Sequence, residues 1–161
     1  MFKDERSGKI ALIAHCILNQ NSRVLGLAER SSAIAEILEL LVRNEIGIIQ
    51  MPCPELAYAG ISRQSQTKNQ YNNVMFRTHC RKIAEELANQ IQEYKKCEIK
   101  LKLIIGVKGS PSCSVNEISG IFMEELHSAL HKRAISVPFY EADLERIKEN
   151  IITLEKFIKP E

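Results

Sequence analysis

The sequence lacks the features that mark several large classes of protein. It contains no tryptophan, only 6% aromatic residues, and seven glycines and five prolines in 161 residues. So little glycine and proline excludes collagen-like and low-complexity chains, and a hydrophobic content of 45% excludes intrinsic disorder. No apolar run approaches the roughly 20 residues that a membrane-spanning helix needs. We therefore expect one globular domain over residues 1–161, with a substantial core.

The chain also lacks a large excess of charge of either sign. The 22 basic and 20 acidic residues are interspersed, and the formal net charge is +2. A protein that follows a phosphate backbone needs a basic stripe, which is absent, so we expect no nucleic-acid partner. The charged start MFKDERSGK lacks the apolar stretch of a signal peptide. These patterns predict a cytoplasmic protein without a membrane partner.

Five cysteines are present, and their number and spacing are informative. Cytosolic thiols stay reduced, and an odd number of widely spaced cysteines argues against a disulfide framework. Binding of a metal or cluster, or catalysis, is therefore the better explanation for at least some of them.

Short apolar runs alternate with amphipathic stretches along the chain. The apolar runs predict four strands, at residues 9–15, 47–51, 101–107 and 135–139. Helical spacing of apolar residues predicts helices at residues 32–43, 76–94, 121–132 and 143–157. The segment 54–73 looks long and irregular, as functional loops often are. The alternation predicts an α/β fold: a parallel, Rossmann-like sheet of about four strands with right-handed crossovers and helices on both faces.

Three cysteines hold equivalent places in this pattern. Cys16, Cys53 and Cys113 each follow one of the first three predicted strands. Because the carboxyl ends of parallel strands share one edge of a sheet, we expect these side chains to meet there. Cys80 lies within a helical pattern and Cys97 in a charged connection, so neither is assigned a ligand role.

Three thiolates suit a soft metal or an iron–sulfur cluster. A four-iron cubane usually takes four cysteines, so three leave one iron free to bind substrate. Zinc is the competing interpretation, with His15 as a possible fourth ligand beside Cys16. Neighbouring residues on a strand point to opposite faces, which weakens that alternative. Each cysteine, taken singly, can also be a small buried hydrophobe.

Two further side chains near the cysteines can do chemistry. Glu55 follows Cys53 by two residues and is a candidate general acid or base. Ser110 precedes Cys113 by three residues, and its hydroxyl can fix a substrate or its leaving atom. The turn leads toward a helix, so its backbone N–H groups favour an anionic ligand.

Polar residues of the same loops are candidate substrate contacts. Asn19, Asn21 and Arg23 lie in the first loop, Arg63 in the long one, and Ser112 on the turn with Ser110. Loop asparagines are more often turn formers, and loop arginines are more often solvated, so that plainer interpretation stays open for each.

Three segments together resemble one known family. HCILNQNSR, MPCPE followed by YAG and Arg63, and GVKGSPSC are similar in order and spacing to the thiouracil desulfidase family, formerly a domain of unknown function. The similarity extends over nearly the whole chain and is closer to a divergent branch than to the thiouracil enzymes. Two departures are Ser114, where the family usually has glycine, and a first loop without the family's shorter tyrosine-and-aspartate version.

The resemblance implies a cofactor, a reaction and roles for five residues. Cys16, Cys53 and Cys113 would bind a [4Fe–4S] cluster whose fourth iron has no protein ligand, and Glu55 and Ser110 would be catalytic. The reaction would take a small thiolated molecule and release the oxygenated base and hydrogen sulfide without net redox change. Two other hypotheses remain at this point: a cluster-bearing sensing module without turnover, and a structural zinc domain.

Overall fold

Four parallel strands form the centre of the structure, a computed structural model that describes residues 3–116 and 118–159. The strand order is β2-β1-β3-β4, and every pairing is parallel. The strands are β1 Lys9–Ile13, β2 Gly47–Gln50, β3 Lys100–Val107 and β4 Phe139–Ala142. The α/β fold with a four-stranded parallel sheet is thus confirmed.

Seven α-helices flank the sheet in the described residues. They are α1 His15–Leu18, α2 Ala35–Arg43, α3 Pro54–Ala59, α4 Lys68–Tyr71, α5 Val74–Lys96, α6 Ile121–His131 and α7 Ile147–Ile158. A short 3₁₀ helix, Gln20–Ser22, follows α1. α5 packs against α6, and α2 packs against α7, which covers the sheet with helices.

The apolar strands explain where the core lies. Ala11–Ile13 of β1 and Leu103–Ile105 of β3 are buried among residues from every long helix. Parallel strands covered on both faces are apolar throughout rather than alternating, which is why the short runs in the sequence indicated strands.

The segment 54–73, predicted as an irregular loop, contains two short helices instead. α3 begins at Pro54, where a proline is favoured because its missing N–H has no helical partner anyway. α4 begins with a capping box, in which Thr67 and Gln70 satisfy each other's backbone N–H groups. Pro54 and the capping box are helix-start signals that the sequence contains. The polar composition of the segment nevertheless favoured the prediction of a loop.

The fourth strand lies later in the chain than the predicted 135–139. Ala134 has a φ of 54°, and the Ile135 N–H donates to Leu130 O at 3.0 Å, so this segment closes the end of α6. Only at Phe139 does the chain pair with β3. The apolar residues before Pro138 therefore cap a helix rather than form a strand.

The last helix also begins later than the predicted residue 143. The Arg146 N–H donates to Asp143 O at 3.1 Å, and the Asp143 carboxylate accepts the Glu145 N–H at 3.2 Å. These contacts form a turn that delays the start of α7 to Ile147.

Across residues 3–116 and 118–159, no helix combines the length and the apolar character that crossing a bilayer requires.

Candidate functional site

Three cysteine side chains line one cavity at the carboxyl edge of the sheet. Cys16 follows β1, Cys53 follows β2 and Cys113 follows β3. The cavity has a volume of about 270 Å³, and Glu55 and Ser110 also line it. The topology therefore brings these distant positions of the chain together.

The first loop is a short helix rather than an extended segment. His15 begins α1 instead of ending β1, and its Nδ1 lies 3.2 Å from Met51 O. The Gln20 side chain is 1% exposed and donates from Nε2 to Cys16 O at 2.8 Å. The buried Gln20 side chain therefore holds the backbone at Cys16. The polar sequence around Gln20 did not indicate that this side chain is buried.

The second cysteine is the N-cap of α3. The Leu56 N–H donates to Cys53 Sγ at 3.4 Å, so the sulfur faces the positive end of a helix. His79 of α5 places its Nε2 3.0 Å from Pro54 O, which anchors the start of α3 to α5.

The third cysteine lies on a tight turn that β3 and α6 hold in place. The Val107 N–H donates to Cys113 O at 2.9 Å, and the Met123 N–H donates to Ser112 O at 3.1 Å. Within the turn, the Cys113 N–H donates to Ser110 Oγ at 3.0 Å. The N–H groups of Ser112 and Cys113 in the turn both donate to Ser110 Oγ, so they are not free for the anionic ligand that the sequence predicted here.

Two glycines allow this turn to approach the elements around it. A Cβ at Gly106 of β3 would lie 2.1 Å from Cys113 O, and a Cβ at Gly120 would lie 2.2 Å from the Ser112 carbonyl carbon. Only glycine leaves room for backbone contact this close. The position of Cys113 therefore depends on these two residues.

Glu55 is a buried carboxylate beside the cysteines. Its relative exposure is 7%, and Ser112 donates from Oγ to Glu55 Oε2 at 2.5 Å. Arg63 places its Nε 3.7 Å from Glu55 Oε1. The charge of Glu55 thus has a hydroxyl donor on one oxygen and a guanidinium near the other.

The Ser110 hydroxyl continues this arrangement. Its Oγ lies 3.3 Å from Ser112 Oγ and accepts the N–H groups of Ser112 and Cys113, at 3.3 and 3.0 Å. Glu55, Ser112 and Ser110 therefore form a continuous chain of hydrogen bonds along the cavity wall.

The remaining predicted substrate contacts divide into two groups. Arg23, Arg63 and Ser112 line the cavity. Asn19 and Asn21 are exposed and absent from its wall, and the Asn19 carboxamide oxygen accepts the Asn21 N–H at 3.1 Å to cap the 3₁₀ helix. For these two asparagines the geometry supports the turn-forming alternative.

A comparison with known protein families identifies the chain's relatives. The family described as "Putative 2-thiouracil desulfurase" matches residues 8–158. The chain belongs to this family. The match includes all three cavity cysteines, Glu55 and Ser110.

A protein similar to this chain occurs in Methanocaldococcus jannaschii. That protein, named "Uncharacterized protein MJ0003", is 41% identical over 156 residues, which cover 94% of this chain and 97% of the relative. No solved structure matches the chain.

Ser114 lies at the position where the resemblance to the desulfidase family predicts a glycine, and its backbone conformation is unstrained. The φ of Ser114 is not positive, and its Oγ donates to Ile118 O at 2.6 Å. Ser114 does not line the cysteine cavity but a neighbouring one. The serine therefore leaves the cavity around the three cysteines unobstructed.

The cavity holds its thiols in the neutral form. Burial raises the pKa of Cys16 to about 11 and that of Cys113 well above its ordinary value, and the neighbouring cysteines raise the pKa of Cys113 further. Burial also raises the pKa of Cys53. Because metals bind the thiolate, ligation here would release protons that the protein alone retains.

The side chains around the cavity decide which metal group it could hold. In the part of the chain that the structure describes, no three His, Cys, Asp or Glu side chains come close enough to hold one metal ion. A cubane presents a separate iron to each thiolate, so its ligands surround a larger core. Three cysteines around one cavity fit that requirement, and His15 lines the same cavity, so the three-cysteine, one-histidine zinc site stays the alternative.

The other two cysteines lie apart from the cavity wall. Cys80 is buried within α5, and Cys97 is exposed at the end of that helix. Neither lines the cavity.

Proposed function

We propose that the protein is a [4Fe–4S]-dependent desulfurase that removes sulfur from a small thiocarbonyl compound by hydrolysis without net redox change. The observation that carries the proposal is the shared cavity of three cysteines and a buried, hydrogen-bonded carboxylate. Membership of the desulfurase family supports the reaction class.

Cys16, Cys53 and Cys113 would hold the cluster. When bound, a cluster with three protein ligands supplies one Lewis-acidic iron that can take a substrate sulfur. The N-terminus of α3 favours the thiolate form of Cys53, which ligation requires. The raised pKa of Cys16 means that ligation by this thiol would release a proton.

Glu55 is the proposed acid–base group. In the net reaction, water and C=S give C=O and hydrogen sulfide, so protons must leave the water and reach the departing sulfur. Glu55 can carry the two protons in turn, the first from the water and the second from the hydroxyl added to carbon, and pass each to the sulfur, because its carboxylate lines the cavity. Ser112 holds one carboxylate oxygen in place throughout.

Ser110 is the proposed substrate-orienting hydroxyl. Two backbone N–H groups fix its oxygen, and its proton, which is directed to Ser112 Oγ in this structure, would turn to a bound substrate. Arg23, a half-buried cation of the same wall, is the proposed polar contact for a small thiolated base. A reducing cytoplasm is the compartment in which such thiols would remain available.

An anaerobic sulfide-release assay tests this function. The reconstituted protein is incubated with 2-thiouracil and a panel of other thiolated bases, and sulfide and the oxygenated product are measured. We expect release by the wild type and a loss of about 100-fold or more in Glu55→Gln, since general acid–base groups contribute at least that much.

Glu124→Gln is the matched control, because Glu124 is a half-buried carboxylate paired with Lys68 and Arg77 outside the cavity. This control should retain full activity. A wild-type protein that keeps its cluster but releases no sulfide from any thiocarbonyl would instead indicate a sensing module.

A further inference from the structure

Arg63 is a buried cation at the centre of the site. Its side chain is only 5% exposed, although it lies in the connection between α3 and α4, where arginines are usually solvated. Burying a guanidinium is costly unless partners surround it, so its contacts deserve an explanation.

The guanidinium joins two segments that carry cysteines. Nη2 donates to Ser22 O at 2.9 Å, at the end of the 3₁₀ helix that follows Cys16. Nη1 donates to Gly60 O at 3.2 Å, at the end of the helix that Cys53 begins. One planar side chain therefore fixes the distance between the Cys16 and Cys53 segments.

The third nitrogen faces the carboxylate. Arg63 Nε lies 3.7 Å from Glu55 Oε1 and has no hydrogen-bond partner among the described residues. The Nε atom is itself enclosed by protein, so a substrate cannot reach it. The substrate contact that the sequence predicted for Arg63 could therefore involve only its two Nη atoms, which already donate to carbonyls.

We propose that Arg63 is a positioning residue, which holds the Cys16 loop against α3 and keeps Glu55 directed into the cavity. The inference rests on the proposed function, because it concerns the same cluster and the same carboxylate. It adds a role in which Arg63 acts through the two backbone segments and Glu55 rather than by binding the substrate itself.

The geometry requires arginine rather than any cation. A lysine ammonium is a single point charge and cannot reach two carbonyls and a carboxylate at once, whereas the guanidinium presents its donors in a fixed fork. Arg63→Lys should therefore retain the charge beside Glu55 but lose the tie between the two segments.

Three variants test the proposal in the full chain after anaerobic reconstitution: Arg63→Gln, Arg63→Lys and the control Arg133→Gln. Arg133, which does not line the cavity, makes a comparable pair of contacts, donating to Ala129 O at 2.7 Å and to Glu85 Oε2 at 2.6 Å. The measurements are iron content, the visible circular dichroism of the cluster, kcat and KM.

Arg63→Gln should lower kcat by about ten- to a hundredfold, as expected for a misplaced catalytic group, with little change in KM. Its visible circular dichroism should differ from that of the wild type. Arg63→Lys should show the same changes to a smaller degree. Arg133→Gln should lower the melting temperature but leave the spectrum, kcat and KM unchanged.

Several results would overturn the proposal. An active wild type with unchanged kcat and spectrum in Arg63→Gln and Arg63→Lys would remove the positioning role. A rise in KM alone would show a substrate contact instead. Loss of folding in both variants, seen by far-ultraviolet circular dichroism, would make Arg63 a general stability residue. A wild type without cluster or sulfide release contradicts the proposed function itself.

Discussion

At the scale of single residues, Ser112 connects the parts of the site. Its side chain is fully buried at 0% exposure, and its hydroxyl donates to Glu55 Oε2 and lies beside Ser110 Oγ. The sequence suggested a substrate contact at this position, but the hydroxyl is already engaged with the carboxylate. A buried charge that loses such a donor is left partly unsatisfied.

Replacing Ser112 by alanine should therefore affect both stability and turnover. We expect the free energy of unfolding to fall by about 1.5–3 kcal/mol, the range for a hydrogen bond to a charged group. Activity should fall as well, because Glu55 loses the contact that orients it. Iron content should remain, since the contacts that hold the Cys113 backbone, with Val107 and Ser110, do not involve the Ser112 hydroxyl. Urea unfolding, sulfide release and iron analysis measure these effects.

Ser114→Ala is the matched control for Ser112→Ala. It removes a hydroxyl that bonds only Ile118 O and does not line the cysteine cavity. Its activity should equal that of the wild type. Equal activities in Ser112→Ala and the wild type would contradict the role assigned to the Glu55–Ser112 contact.

At the scale of elements, the Cys113 turn is positioned by its packing between β3 and α6. The helix donates from Ile121 and Met123 to carbonyls of the turn, and Gly120 lets the two backbones touch. A tight protein interior transmits even small displacements, so the sulfur should move if this contact opens.

Gly120→Ala should displace the Cys113 turn. Gly120 has a φ of −68°, which alanine adopts easily, so the effect is steric rather than conformational. The added Cβ would lie 2.2 Å from the Ser112 carbonyl carbon, and overpacking of this kind costs about 1–3 kcal/mol. Reconstituted Gly120→Ala should also retain less iron than the wild type, which metal analysis measures.

Gly47→Ala provides the comparison within the sheet. A Cβ at Gly47 would meet Ile10 Cγ2 and Lys9 O at 3.5 Å, an ordinary contact distance. This variant should retain wild-type iron content. If Gly120→Ala also retained all its iron, the turn would not be held by the packing described here.

The elements also show how far the sequence predicts the fold. β1, β2, β3 and the helices α5 and α6 follow from apolar runs and helical spacing, because burial dictates both patterns. β4 and the start of α7 do not, because local turns at Ala134 and Asp143 compete with the periodic pattern. α3 and α4 depend on short capping signals within a polar segment.

At the scale of the whole molecule, topology accounts for the site. Parallel strands end at one edge, so residues that follow three adjacent strands line one cavity there. This much could be predicted from the positions of Cys16, Cys53 and Cys113. The partners of Glu55 and Arg63 could not, because they depend on how separate loops pack in three dimensions.

The central claim is that the three cavity thiols hold one iron–sulfur cluster. It is separable from catalysis, because cluster binding requires the cysteines but not Glu55. Single serine variants of Cys16, Cys53 and Cys113 address it, and Cys80→Ser is the control because Cys80 lies outside the cavity wall.

The most direct measurement is the iron and acid-labile sulfide content per chain after anaerobic reconstitution, with the visible spectrum. The account predicts about four irons and four sulfides in the wild type and in Cys80→Ser, as a cubane requires, and a large loss in each cavity variant. Zinc without labile sulfide, or full iron content in all three cavity variants, would contradict it.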